Sequence, residues 1–181
     1  MIVVGVLGMD DGLALEVARR AAGTGARTEL VGVASPDGEG DRLLLGLAGA
    51  GIGHATVIRS TARGIEAADL ELALRYLPDV RAIVLASPGA TLLGPATAAA
   101  AWSGATLVIV GPVDADGTAM LDAATSGATP RRGPIVLEPP PRDPDGAFAG
   151  LVAALAVRLE AGEDPAAAWQ STVEALAVDP A

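Results

Sequence analysis

Apolar positions along this chain follow two alternating rhythms. Residues 2–7, 28–33, 55–59, 81–86, 106–110 and 134–138 form short runs rich in Val, Ile and Leu. Such runs, bounded by Gly, Pro or Asp, predict strands buried on both faces. Between them the spacing turns helical. Ala14, Val17, Ala18 and Ala21 share one face and end at Gly23-Thr24-Gly25; Leu43, Leu44 and Leu47 mark a helix over 41–50; Leu70, Leu74 and Leu77 mark another over 66–77, stopped by Pro78-Asp79. An alanine-rich helix is expected over 95–103, a short one up to residue 124, and a last one from Pro165, capped by Asp164, with Trp169, Val173 and Leu176 turned inward. Strand and helix alternate throughout. That alternation predicts an α/β fold, a three-layer doubly wound and mostly parallel sheet, with ligands bound outside the carboxyl ends of the strands. One domain over residues 1–181 is the expectation for this length.

The clearest helix follows a stiff loop, Pro139-Pro140-Pro141-Arg142-Asp143-Pro144-Asp145-Gly146. Phe148, Leu151, Val152, Leu155, Ala156 and Leu159 recur at a 3.6-residue period behind it. Two starts are open: Asp143 as N-cap with Pro144 in the first turn, or Asp145 capping a helix from Gly146. Gly146 and Gly150 weaken such a helix, which suggests close approach of another element or a ligand. A helix start offers free N–H groups to a phosphate, but here two carboxylates already stand on it.

Composition narrows the chemistry. The formal charge is −10, the twelve basic residues are all arginine, and there is no cysteine. A catalytic lysine and a thiolate site are excluded, and the acidic balance argues against a nucleic-acid partner. The start of the chain shows neither a basic leader nor a membrane span, so no membrane partner and a cytoplasmic location are expected. His54 is the single histidine and sits in a loop, so no metal site is expected and a Ser-His-Asp triad would hang on it alone. Asp10-Asp11-Gly12 reads as a structural helix cap, Arg131-Arg132 as a solvated loop, and Trp102 and Trp169 as core or interface residues.

Two stretches together resemble the ribokinase-like (PfkB-type) sugar kinases. The first runs from Val17 through Gly23-Thr24-Gly25-Ala26 and Val31-Gly32-Val33 to Asp37-Gly38-Glu39-Gly40-Asp41 and Leu47-Ala48-Gly49-Ala50-Gly51. The second, Asp145-Gly146-Ala147-Phe148-Ala149-Gly150, is similar to that family's Gly-Ala-Gly-Asp-Ala-Phe signature. The resemblance implies a ribokinase-like core that binds ATP and Mg²⁺ if active. It implies a catalytic base at the signature aspartate, here Asp145, and anion or nucleotide contacts at Gly146, Ala147 and Phe148 and at the turn Asp116-Gly117. Substrate contacts fall at Asp11, Gly12 and Asp37.

The departures are specific. Aligned without a gap, Gly146 takes the base position, and Asp143-Pro144-Asp145 replaces the N–H donors that would hold a transferring phosphoryl group. A one-residue slip restores Asp145 as base. Glu16 stands where the family has a sugar-binding asparagine, and the lid expected between the first strand and first helix is missing. The expected function is therefore a truncated sugar-kinase homologue without phosphotransfer, acting as a binding or interaction module. The alternative is an ATP-dependent carbohydrate kinase. A homodimer is a third expectation, because losing a lid uncovers apolar surface.

Overall fold

The computed structural model describes residues 1–6, 12–61, 64–112, 118, 133–143 and 145–178. Six strands form its sheet: β1 (Ile2–Val6), β2 (Thr28–Ala34), β3 (Val57–Arg59), β4 (Ala82–Ala86), β5 (Thr106–Val110) and β6 (Ile135–Leu137). All pairings are parallel, in the order β3-β2-β1-β4-β5-β6. The first connections step outward from β1 in one direction and the later ones from β4 in the other. The order therefore reverses between β1 and β4, the kind of switch point at which doubly wound sheets bind ligands. Each of β2, β4 and β5 is buried along its whole length; β4 is wholly apolar, while Thr28 and Glu29 of β2 and Thr106 of β5 are polar groups buried with their strands.

The helices are α1 (Gly12–Gly23), α2 (Gly38–Gly49), α3 (Ala67–Tyr76), α4 (Ala90–Ser103), α5 (Ala147–Glu160) and α6 (Pro165–Val178). One face of the sheet, through Ile2, Val4 and Val84, packs on Val17 and Ala18 of α1, Leu47 of α2, Val152 and Leu155 of α5 and Ala168 of α6. The other, through Val3, Ile83 and Leu85, packs on Leu70 and Leu74 of α3 and Leu92 and Ala96 of α4. Side chains alternate across each strand, so both layers are filled from the same short runs. Only residues 7–11 separate β1 from α1, too few for a lid of strands.

Several element bounds, and the inward face of one helix, differ from the sequence expectations. α2 begins at Gly38, three residues early, because Asp37 caps it: its Oδ1 accepts the N–H groups of Glu39 and Gly40 at 2.9 and 3.2 Å. α4 begins at Ala90, so Pro95 lies inside it rather than at its start. Leu92 and Leu93 supply the reason, since both are buried only if the helix already runs ahead of the proline. β3 is shorter than expected and starts at Val57. On α6 the expected inward residues Trp169, Val173 and Leu176 are 36%, 42% and 44% exposed, while Ala168 and Thr172 are buried. The small pair lets α6 close against α5, which a face led by tryptophan would hold away. Asp164 does cap α6, accepting from the N–H of Ala166 at 3.0 Å. Trp102 is not core: it is 75% exposed at the end of α4.

Candidate functional site

A cleft of about 410 Å³ opens between the first half of α1 and the start of α5, lined by Gly12, Leu13, Glu16, Arg20, Asp143, Asp145, Gly146 and Ala149. Its floor follows from how α5 begins. Gly146 occupies the N-cap position in the left-handed region, φ 66°, so the chain turns sharply before the helix. The turn folds Asp143 back over its own helix. Asp143 Oδ1 accepts from the Phe148 N–H and Oδ2 from the Ala149 N–H, each at 3.1 Å. The carbonyls of Asp143 and Gly146 accept from the N–H groups of Gly146 and Gly150 at 3.2 and 2.9 Å. Neither start open in the sequence is the observed one: the helix begins at Ala147, and the cap comes from Asp143 across the turn. Asp145 is exposed on the cleft rim, and its carboxylate makes no hydrogen bond or ion pair among the described residues.

Arg20 forms the opposite wall. Its Nε donates to Glu16 Oε1 at 2.7 Å and its Nη2 to the Asp145 carbonyl at 3.3 Å. A Cβ added at Gly146 would stand 2.6 Å from Nη2, and one at Gly150 3.4 Å from Nη1. The close approach that these two glycines suggest is therefore made by a guanidinium of the protein itself. Sequence reading missed Arg20 because an Arg four residues after a Glu looks like a solvated helical ion pair. The signal that could have found it is the pair of glycines four residues apart on one face of α5.

Of the other expected site residues, Gly12 lines the cleft and Ala147 stands exposed in the first turn of α5. Asp37 lies one strand over, past the carboxyl end of β2, and does not line the cleft. Its carboxylate is committed locally. The Ser35 hydroxyl donates to Oδ1 at 2.7 Å, and this bond, followed by the Gly40 and Glu39 N–H groups and the nearby Arg59 charge, holds the Asp37 carboxyl below the ordinary value of 3.8. Arg59 also donates to the Asp37 carbonyl at 3.2 Å and pairs with Asp41 at 2.7 Å. Asp11, Asp116, Gly117, Arg131 and Arg132 lie outside the described residues. His54 is half-buried, with Nδ1 3.1 Å from the Ile52 carbonyl oxygen.

The lowered Asp37 value has a pH consequence with a definite sign. A carboxylate favoured by the fold adds stability that is complete above its unfolded value and is lost as pH falls through the lower folded value. Thermal unfolding of the Asp37→Asn variant should therefore fall less steeply with acidification below pH 3.8 than that of the parent chain. Parallel curves would remove the carboxylate from the account of α2.

Solved structures share this architecture over nearly the whole chain. Aminoimidazole riboside kinase from Salmonella enterica, complexed with aminoimidazole riboside and an ATP analog, superposes with a TM-score of 0.60 at 13% identity, over 95% of this chain and 88% of that one. Fructokinase from Xylella fastidiosa with bound ATP gives 0.56 at 13% identity, over 93% and 78%. The PfkB protein from Polaromonas sp. JS666 gives 0.56 at 16% identity, over 91% and 84%. The fold is ribokinase-like. No protein-family model and no curated protein matches the sequence. In this ribokinase-like chain, the helix start where the resemblance sets anion donors is α5, and there Asp143 already takes the Phe148 and Ala149 N–H groups.

Those residues do not suit a terminal phosphate with its metal. The Phe148 N–H is engaged by a carboxylate, proline at 144 has no N–H to offer, and among the described cleft residues Glu16, Asp143 and Asp145 outnumber the Arg20 guanidinium. Each unscreened carboxylate 4 Å from a phosphate charge costs about 1–4 kcal/mol. Among the described residues, no three acidic or histidine side chains converge as metal ligands.

Proposed function

We propose that this ribokinase-like chain has given up phosphoryl transfer and serves as a binding or interaction module. One observation carries the reading: the N–H of Phe148, one of the donors that the resemblance sets for an anion, points instead at the Asp143 carboxylate, which also takes the Ala149 N–H. Preorganised donors stabilise developing charge only while they remain free to meet it. A cap of the protein's own making removes that capacity and stabilises the fold in exchange. The wall made by Arg20 adds to this, because the guanidinium fills the space over Gly146 and Gly150.

A second reading rests on Asp145, whose carboxylate is exposed on the cleft rim and unpaired among the described residues. A general base needs that freedom, and the similar solved structures described above include kinases holding ATP or an ATP analog. In that reading the chain is an ATP-dependent carbohydrate kinase with Asp145 as base. Incubation with Mg-ATP and a panel of sugars separates the two. Release of ADP no faster than from buffer, with parent and Asp145→Asn indistinguishable, is the expected result. Sugar-dependent ADP release that Asp145→Asn abolishes would establish the kinase instead.

A cytoplasmic location belongs to the same proposal. It draws on the absence of cysteine and on the fact that no helix among the described residues is long and apolar enough to cross a membrane.

A further inference from the structure

The tripeptide Pro-Asp-Gly occurs twice in the chain, at residues 36–38 and 144–146. An Asp-Gly bond is open to one spontaneous reaction, because glycine puts no side chain beside the amide nitrogen that follows the carboxyl. Asp37 and Asp145 are both exposed and both stand at a helix start, so neither local sequence nor exposure separates them. Hydrogen bonding does. Asp37 Oδ1 accepts from the Ser35 hydroxyl and from the N–H groups of Glu39 and Gly40. These bonds fix the carboxyl and favour its ionised form, which is a poor electrophile. The Asp145 carboxylate makes no hydrogen bond or ion pair among the described residues. Its main chain is engaged instead. Arg20 Nη2 donates to the Asp145 carbonyl oxygen at 3.3 Å, the oxygen that takes up negative charge when the Gly146 N–H ionises.

We infer that Asp145-Gly146 is a self-modification site, which passes through a succinimide to isoaspartate with the Arg20 guanidinium promoting the first step. The Gly146 nitrogen, having lost its proton, attacks Cγ of the protonated Asp145 carboxyl. An N–Cγ bond forms, the Cγ–O bond breaks, and the amide proton leaves with the carboxyl hydroxyl as one water. Water then opens the cyclic imide at either carbonyl. Attack at Cγ restores aspartate. Attack at the main-chain carbonyl breaks its bond to the Gly146 nitrogen and leaves the chain running through Cβ, with a free carboxylate beside it. Nothing is oxidised or reduced, and water is the only reagent. A cation fixed at the Asp145 carbonyl stabilises the amidate that attacks, as preorganised donors stabilise any developing oxyanion. One bond opposes the step: the Gly146 N–H donates to the Asp143 carbonyl oxygen at 3.2 Å, the long limit for such a bond. The product carries an extra main-chain atom just ahead of Gly146. Asp143 then falls out of register with Phe148 and Ala149, so conversion removes the cap of α5.

Incubation of the full folded chain at neutral pH tests the inference. Isoaspartate is read by methyl transfer from S-adenosylmethionine with an isoaspartyl methyltransferase, and its position by peptide mapping. Label should accumulate at residue 145 about tenfold faster than at residue 37, the scale of one charge-assisted hydrogen bond. In urea the two rates should converge, because the tripeptides are the same and neither carboxyl nor Arg20 is then held. Arg20→Met should slow conversion at residue 145 in the folded chain and leave the rate in urea unchanged. Equal rates at the two sites of the folded chain overturn the inference, as does the absence of label at residue 145. An Arg20→Met rate equal to or above the parent's overturns it too. Should Arg20→Met fail to fold, the ratio of the two parent rates, folded against urea, decides in the same two directions.

Discussion

Gly40→Ala should cost the fold about 3 kcal/mol, lowering the unfolding temperature by roughly 6–12 °C in a chain of this size. The reason is a backbone collision rather than a lost contact. A Cβ at Gly40 would run into the carbonyl of Ser35, the residue whose hydroxyl also holds the Asp37 cap. Backbone cannot rotate away as a side-chain tip can, so either the first turn of α2 or the end of β2 must shift. The control lies six residues on in the same helix. Gly46 has no atom within 4 Å of an added Cβ, and there alanine should stabilise by about 0.5–1 kcal/mol through helix propensity. Thermal or urea unfolding of both variants checks the contrast. A mild effect at Gly40 would mean that the Ser35–Asp37 loop is looser than described. The neighbouring Asp37 would then be freer to act on a ligand than its hydrogen bonds imply.

Asp143→Ala should lower stability by about 1–2 kcal/mol, read as a fall of roughly 2–8 °C in unfolding temperature. The carboxylate caps α5 through two N–H groups at once, and alanine leaves both without an acceptor in a half-buried position. Asp145→Ala is the comparison that gives this number its meaning. Asp145 is exposed and its carboxylate makes no bond among the described residues, so the same truncation two positions later should change stability by less than about 0.5 kcal/mol. Equal losses at the two positions would show that the helix is capped otherwise than described. The functional reading would then lose its main support.

Much of the architecture was legible in the sequence for a plain reason. Strands buried on both faces must be continuously apolar, and residues 82–86 and 106–110 could be little else. The stripe Val152, Leu155, Ala156 and Leu159 likewise fixes the buried face of α5. What escaped was decided by neighbours distant in sequence. Pro95 reads locally as a helix start, yet burial of Leu92 and Leu93 draws the helix back to Ala90. Size misleads on α6, where Trp169 suggests the inward face and the closeness of α5 instead favours Ala168 and Thr172.

At the site, the stretch from Asp143 to Phe148 is legible in the sequence as one where acidic groups meet a helix start. Their division of labour was not visible. Asp143 reaches Phe148 and Ala149 only because Gly146 turns in the left-handed region, and a sequence does not announce that φ. Arg20 stands 125 residues from its Asp145 contact, so no local pattern pairs them. Ser87, with φ 47° at the carboxyl end of β4 and its N–H 2.6 Å from the Val110 carbonyl oxygen, is a further feature of the switch point that no motif marks.

The central claim is that Asp143 occupies the Phe148 N–H, a donor that a nucleotide's terminal phosphate would need. Titration of the chain with the slowly hydrolysed analogue ATP-γ-S and Mg²⁺ in a calorimeter addresses it directly. No heat beyond dilution, together with no rise in unfolding temperature, is the expected outcome. A saturable binding isotherm that Gly146→Asp abolishes would place the nucleotide at the start of α5 and contradict the claim.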